Sequence, residues 1–133
     1  MNMRNIDTST RKEMLGIIRK AKSSHIRWRS YAQGMVAGVE VKEQKAPVQH
    51  TDCKFGQWYY GEGAARLGHL QIFEDIASPH EMLHAIYAQI HELVDKGEME
   101  QARKKLDEMI GVSRTLLDQI GLLEEEVHAE VDE

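Results

Sequence analysis

The sequence predicts an all-α protein, an antiparallel four-helix bundle with a short extra helix that carries the cysteine motif. Two observations lead to this prediction. The chain of 133 residues contains only two prolines, and it is rich in Glu, Lys, Gln, Ala, Leu and Met, which favour helices. Its apolar residues also recur at steps of three and four along two long segments near the chain ends. Long helices at both ends with shorter ones between them are typical of a bundle.

Length, charge and cysteine content restrict the possible classes of protein. One domain is expected over residues 1–133, with its core at about 10–127 and a flexible acidic tail. The net charge of −5 argues against a nucleic acid or an anionic membrane as partner. The first twenty residues hold no continuous apolar stretch, so we expect no secretory signal and no membrane span. Cys53 is the only cysteine, which excludes an internal disulfide and favours a reducing compartment, the cytoplasm.

The first long helix is predicted to begin at the capping box Thr10-Arg11-Lys12-Glu13. His25 falls in a gap of the apolar stripe that follows. A single histidine in such a place is more often a core residue than a ligand, so its role depends on which other residues lie near it. The stripe extends for about eight turns and consists of Met14, Ile17, Ile18, Ala21, Trp28, Ala32, Met35, Val36 and Val39.

A second, short helix is predicted around the cysteine. Residues 43–47 have the composition of a loop. Thr51 or Asp52 can then cap a helix over residues 53–60, and the glycines within residues 61–63 are predicted to end it. The aromatic residues of this segment give the helix one buried side.

The next helix carries the motif His80-Glu81-Met82-Leu83-His84. Ser78 is predicted as its N-cap, with Pro79 at the first helical position and Glu81 completing a capping box. Gly97 is predicted to end the helix. Because the two histidines are four residues apart, they lie on one helix face about 6 Å apart along the axis. They can therefore bind one metal ion as a pair.

The same five residues match the H-E-x-x-H pattern of zinc metalloproteases, in which Glu81 would be the general base beside a zinc-bound water. A zinc hydrolase is therefore the alternative function. It requires an open coordination position, a cleft and usually an edge strand that holds a peptide. Cys53 offers a fourth ligand and no segment is convincing as a strand, so we disfavour the hydrolase. A third alternative is a helical interaction protein whose histidines bind no metal.

The last helix, at about residues 98–127, completes the predicted bundle. Gly111 and Gly121 each weaken it by about 1 kcal/mol through their low helix propensity. In bundles of this kind, metal sites are built from side chains on facing helices. Side chains from three segments can then converge, and three imidazoles with one thiolate would form a complete tetrahedral zinc set. The candidate ligands are His25, Cys53, His80 and His84, with His50 as the substitute if His25 is wrong.

Three motifs, in this order, resemble the signature of the chemoreceptor zinc-binding domain family, a group of bacterial regulatory modules. The resemblance extends over about residues 10–125. It implies a helical bundle that tends to form homodimers, with a Zn²⁺ ion bound by His25, Cys53, His80 and His84. The motifs are His25-Ile-Arg-Trp28, Cys53-Lys-Phe55-Gly56-Gln-Trp58 and His80-Glu-Met-Leu-His84.

The resemblance also implies a function. The family usually accompanies chemotaxis receptors or diguanylate cyclases and reports zinc or oxidants to them. A chain of 133 residues has no room for such a signalling domain, so we expect it to act in trans on a chemoreceptor or a diguanylate cyclase. Since zinc holds a cysteine as thiolate, the oxidisable form, Cys53 is the residue expected to sense an oxidant.

Overall fold

The computed structural model describes residues 7–39 and 49–131, which form a bundle of helices and contain no strand. The predicted all-α class and the short helix next to the cysteine are confirmed. The segment Tyr59–Gly63, which is kinked at Gly61, joins two of the short helices. The α-helices are α1 Thr8–Val36, α2 Lys54–Trp58, α3 Ala64–Leu67, α4 Gln71–Glu74, α5 Ala77–Asp95 and α6 Met99–Val131.

Contacts between side chains give the relative directions of the helices. His25 packs on His80 and Trp28 on Tyr87, so α1 and α5 run parallel. Helix α6 follows α5 through a tight turn and runs antiparallel to it. The run from α2 to α3 begins beside His25 and ends with Arg66 close to Asp7. It therefore runs antiparallel to α1 and forms the fourth helix of the bundle.

The core lies between the three long helices, and the short helices also contribute side chains to it. A Leu, Ile or Met side chain contributes about 1.5–3 kcal/mol to stability when it is fully buried. Isolated helices, by contrast, are only marginally stable in water. Packing of the apolar stripes therefore stabilises the fold more than helix propensity does. The largest apolar side chains that are fully buried are Tyr87, Ile18, Leu67, Ile76, Leu83, Ile90, Met109, Leu116, Ile120 and Leu123.

Helix α1 begins earlier than the sequence predicted. Its N-cap is Asp7, whose Oδ1 accepts a hydrogen bond of 2.8 Å from the backbone N–H of Thr10. The prediction of a cap at Thr10 was therefore wrong by three residues. Asp is as good an N-cap as Ser or Thr, and the earlier cap adds almost one turn to the helix.

Glycines end both α1 and α5 in the left-handed conformation, with φ of +74° at Gly38 and +76° at Gly97. Beyond Gly97, the N–H of Glu98 donates to the Leu93 carbonyl at 2.9 Å, which completes the pattern of a Schellman motif. The predicted end of α5 at Gly97 is confirmed. Val39, which the sequence placed in the stripe of α1, lies beyond the helix and is 58% exposed.

The start of α5 also differs from the prediction. Helix α5 begins at Ala77 and Ile76 is its N-cap, so Ser78 is inside the helix and does not cap it. The turn after α4 already places Ile76 in a helical conformation, and its carbonyl accepts the His80 N–H at 3.1 Å. Pro79 is tolerated in this first turn because the N–H groups there have no partner inside the helix.

The glycines after Trp58 interrupt the helix, as the sequence predicted. Helix α2 ends at Trp58, and Gly61 departs from helical geometry, with φ −108° and ψ −109°. Beyond this kink the chain continues into α3. A Cβ atom at Gly63 would lie 2.9 Å from the Trp58 carbonyl oxygen, so the bend brings backbone segments close together.

Two predicted segments lie partly or wholly outside the described residues. The loop at residues 43–47 is one of them. The acidic segment that begins at Glu124 is helical as far as Val131, and Glu124 accepts hydrogen bonds of 2.8 Å from both Arg19 and Lys22. Among the described helices, none has the length and apolar character that crossing a membrane requires.

Candidate metal centre

Helix α1 places His25 inside the bundle, where it is 3% exposed. Its Nδ1 lies 2.7 Å from the Ala21 carbonyl oxygen, one helical turn earlier. A carbonyl oxygen can only accept, so Nδ1 carries the proton and Nε2 keeps a lone pair for a metal. Burial lowers the pKa of His25 to about 4, which keeps the ring neutral, the form that binds metals.

Cys53 is held at the start of α2, where its sulfur acts as the N-cap. The predicted caps, Thr51 and Asp52, were wrong. The Gly56 N–H donates to Sγ at 3.2 Å, and the thiol donates to the His50 carbonyl at 3.6 Å. Burial raises the pKa of Cys53 although hydrogen bonds from backbone N–H groups oppose the change. The raised pKa favours the protonated thiol, whereas a bound cation would hold the sulfur as thiolate.

Helix α5 supplies His80 and His84 on its buried face, as the spacing of four predicted. Their ring centroids are 4.8 Å apart, and His80 has no exposed surface. The Nε2 atom of His80 lies 3.3 Å from Cys53 Sγ. Burial, reinforced by the neighbouring imidazoles, lowers the pKa of His80 to about 2.

The structure brings together all four residues that the sequence singled out as ligands. One ligand atom from each of His25, Cys53, His80 and His84 lies within 4.8 Å of the others. Zinc bonds to nitrogen and sulfur of about 2.0–2.3 Å place the ligand atoms of a tetrahedral site about 3.3–3.8 Å apart. The distance between Cys53 and His80 is already 3.3 Å, and the other atoms need to move inward by about 1 Å. The donor set therefore fits a zinc ion.

One buried polar atom of the cluster has no hydrogen-bond partner among the described residues, Nδ1 of His80. A buried polar atom without a partner costs about 1–3 kcal/mol. A metal bond through Nε2, the atom beside Cys53 Sγ, does not remove this cost.

A comparison with protein families connects this cluster with a known class of site. The family described as the chemoreceptor zinc-binding domain matches residues 25–91, half of the chain, and the match includes all three sequence motifs. This chain belongs to the chemoreceptor zinc-binding domain family. The family's zinc-binding role agrees with the donor set of the cluster. Comparisons with curated proteins and with solved structures found no match.

Aromatic side chains surround the cluster in this member of the family. Trp28 packs on His84 with 4.9 Å between ring centroids, and Phe55 packs on His80 at 5.2 Å and on His25 at 5.8 Å. These contacts agree with the expectation that the aromatic residues of the motifs belong to the core. They also restrict the orientation of each imidazole and exclude water from the cluster.

Other candidate residues lie outside the cluster. Glu81, the proposed general base of the hydrolase alternative, is exposed and lies near Tyr60. His91 pairs with Asp95 at 3.3 Å. His50 is half-buried beside the cluster, with its ring centroid 6.0 Å from that of His80. The sequence had proposed His50 only as a replacement for His25, because the contact across the bundle cannot be read from spacing.

Sequence reasoning missed the structural role of Gly56. A Cβ atom at Gly56 would overlap the carbonyl oxygen of His50 and contact Cys53 Sγ at 3.4 Å. The missing side chain lets the turn before Cys53 fold directly onto α2. The presence of Gly56 in the cysteine motif was the available signal, but the close contact that explains this glycine appears only in the fold.

Proposed function

We propose that this protein is a zinc-binding regulatory module in which His25, Cys53, His80 and His84 bind one Zn²⁺. The observation that carries the proposal is the convergence of four ligand atoms, from residues far apart in sequence, within 4.8 Å of one another. When bound, zinc would hold Cys53 as thiolate and connect the middle of α1 with the starts of α2 and α5.

The signal in this proposal is a change at the zinc site caused by zinc supply or by an oxidant. Cys53 is half-buried while the three histidines are buried, so an oxidant from solvent reaches the sulfur first. Hypochlorous acid would convert the thiolate into a sulfenic acid and release chloride. Loss of the Zn–S bond would then release the start of α2 from α5.

We further propose that the module forms a homodimer in the cytoplasm and acts on a chemoreceptor or a diguanylate cyclase. Membership of the family supports a signalling partner. Signalling requires two arrangements of the bundle that differ in zinc affinity, since a ligand shifts an equilibrium only through such a difference. Sedimentation at micromolar concentration tests the dimer, and a monomer there would contradict it.

The zinc site itself is tested by metal analysis of the purified protein, which should contain about one zinc per chain. His25→Ala and His84→Ala should each lose most of the metal. His91→Ala is the matched control, because His91 is also on α5 but pairs with Asp95 outside the cluster. Full zinc occupancy in both His25→Ala and His84→Ala would contradict the assignment.

A further inference from the structure

His50 is a fifth imidazole at the edge of the proposed zinc site. The centroid of its ring is 6.0 Å from that of His80. This is the same separation as between His25 and His84, which both belong to the cluster. His50 is therefore as close to one member of the site as some members are to each other.

Contacts on two sides hold His50 next to Cys53. Its carbonyl oxygen accepts the hydrogen bond from the Cys53 thiol, and it packs against the backbone at Gly56, where a Cβ atom would not fit. Its ring lies 5.8 Å from the ring of Tyr60. The turn of chain that carries His50 is thus packed onto the same helix start that positions the sulfur.

Exposure distinguishes His50 and Cys53 from the three histidines of the cluster. Both are half-buried, whereas His25 and His84 are 3% exposed and His80 is not exposed at all. A solute that approaches from solvent therefore meets Cys53 and His50 before the other histidines. Cys53 is the most exposed member of the cluster, and His50 is an imidazole beside it that is able to bind the same metal.

We propose that His50 is a reserve zinc ligand, which takes the coordination position of Cys53 when the sulfur no longer binds the metal. The proposal rests on the zinc site proposed above. The exchange breaks one Zn–S coordinate bond and makes one Zn–N bond, and no covalent bond changes. Since a neutral imidazole replaces a thiolate, the charge of the site becomes more positive by one unit.

The exchange has a structural consequence. With Cys53 as ligand, zinc ties the first turn of α2 to α5. With His50 as ligand, zinc ties the preceding turn of chain instead, and the start of α2 loses its direct bond to the metal. The module would thus change conformation at α2 while it keeps its metal.

Cobalt(II) in place of zinc tests the exchange, because its absorption spectrum reports both sulfur ligation and four-coordination. Cys53→Ser is the starting variant, since a serine oxygen can still accept the Gly56 N–H but is a poor metal ligand as a neutral hydroxyl. Cys53→Ser should lose the sulfur-to-cobalt band and keep the intense visible bands of a four-coordinate ion. Because even an outer-shell partner is worth about 10–100-fold in metal affinity, Cys53→Ser/His50→Ala should bind cobalt at least tenfold more weakly and lose those bands.

The matched control is Cys53→Ser/His69→Ala, which removes an exposed histidine outside the cluster and should behave like Cys53→Ser. Equal spectra and affinities with and without His50 would overturn the proposal. If the native protein shows no sulfur-to-cobalt band, Cys53 is not a ligand, and the proposed zinc site fails together with the exchange.

A second measurement covers the case in which the double variant does not fold. Zinc-loaded native protein and His50→Ala are each treated with iodoacetamide, which alkylates Cys53 and releases iodide. X-ray absorption at the zinc edge should then show four imidazoles in the native protein and three in His50→Ala. Three imidazoles in both proteins would overturn the proposal.

Discussion

At the scale of single residues, Cys53 has two roles through one atom. Its sulfur caps α2 by accepting the Gly56 N–H, and it also lies 3.3 Å from His80. A chemical change at this sulfur therefore alters both the start of a helix and the proposed metal site. The three histidines are buried, so Cys53 is the member of the cluster at which solvent chemistry can act.

Oxidation of zinc-loaded protein should modify Cys53 ahead of the seven methionines, because the zinc-bound thiolate is the fastest-reacting group. Zinc affinity should fall in parallel, and it should fall further in His50→Ala. Zinc released to a colorimetric chelator and mass spectrometry of the Cys53 peptide measure the two events. Cys53→Ser serves as control and should not respond. Unchanged zinc affinity after complete oxidation of Cys53 would contradict this expectation.

The hydrolase alternative is decided at Glu81. In the proposed site four protein ligands fill a tetrahedral zinc shell, so no bound water would remain for this carboxylate to activate. Glu81→Gln should keep its zinc and change the free energy of unfolding by less than about 0.5 kcal/mol, as is usual for an exposed position. Metal analysis, urea unfolding and a casein-hydrolysis assay measure the three effects. A metal-dependent peptidase activity that Glu81→Gln abolishes would show that the protein is an enzyme.

At the scale of the elements, the helix ends determine where the ligands are placed. Helix α5 begins at Ala77, without a side-chain cap, because α4 and the following turn lead directly into it. This continuous path directs His80 and His84 toward α1. The bend at Gly61 similarly lets the fourth helix pass from the metal cluster to the other end of the bundle.

The end of α5 gives a test with a built-in control. Gly97 has φ +76°, so Gly97→Ala should destabilise the protein by about 1–2 kcal/mol. Gly111 lies inside α6, where an added Cβ atom would meet nothing within 4 Å, so Gly111→Ala should stabilise the protein by up to about 1 kcal/mol. Urea unfolding measures both. The same sign for the two variants would contradict the described helix end.

At the scale of the whole molecule, the proposed zinc ion joins the short helix α2 to the long helices α1 and α5, with which α2 has few other contacts. Helices α1 and α6, and likewise α5 and α6, pack along long apolar stripes, whereas α2 is a short helix next to the cluster. Buried imidazoles without metal also weaken the fold, because polar groups are removed from water. Zinc should therefore contribute to the stability of the whole bundle.

Removal of zinc by a chelator should lower the thermal midpoint of the native protein. A ligand present at about 100 times its Kd stabilises the folded state by about 2.7 kcal/mol, which corresponds to a shift of several degrees for a chain of this size. Circular dichroism during heating measures the midpoint. In His84→Ala the chelator should have almost no effect. An equal effect in both proteins would mean that zinc acts elsewhere.

Local patterns in the sequence determined much of this protein. The apolar period of three to four residues and the shortage of proline were sufficient to predict the all-α class. Gly97 was sufficient to predict the end of α5. The spacing of His80 and His84 placed them on one helix face. Such features could be predicted because helix periodicity and glycine conformation depend on neighbouring residues only.

Only the tertiary structure decided which distant residues meet. The cap at Asp7 and the start of α5 at Ala77 each replaced a plausible local signal, because competing caps and turns differ by only about 1 kcal/mol and packing selects among them. The position of His50 beside His80 likewise depends on how α2 folds against α5. Contacts of this kind are set by the burial of side chains across the bundle, which no short stretch of sequence contains.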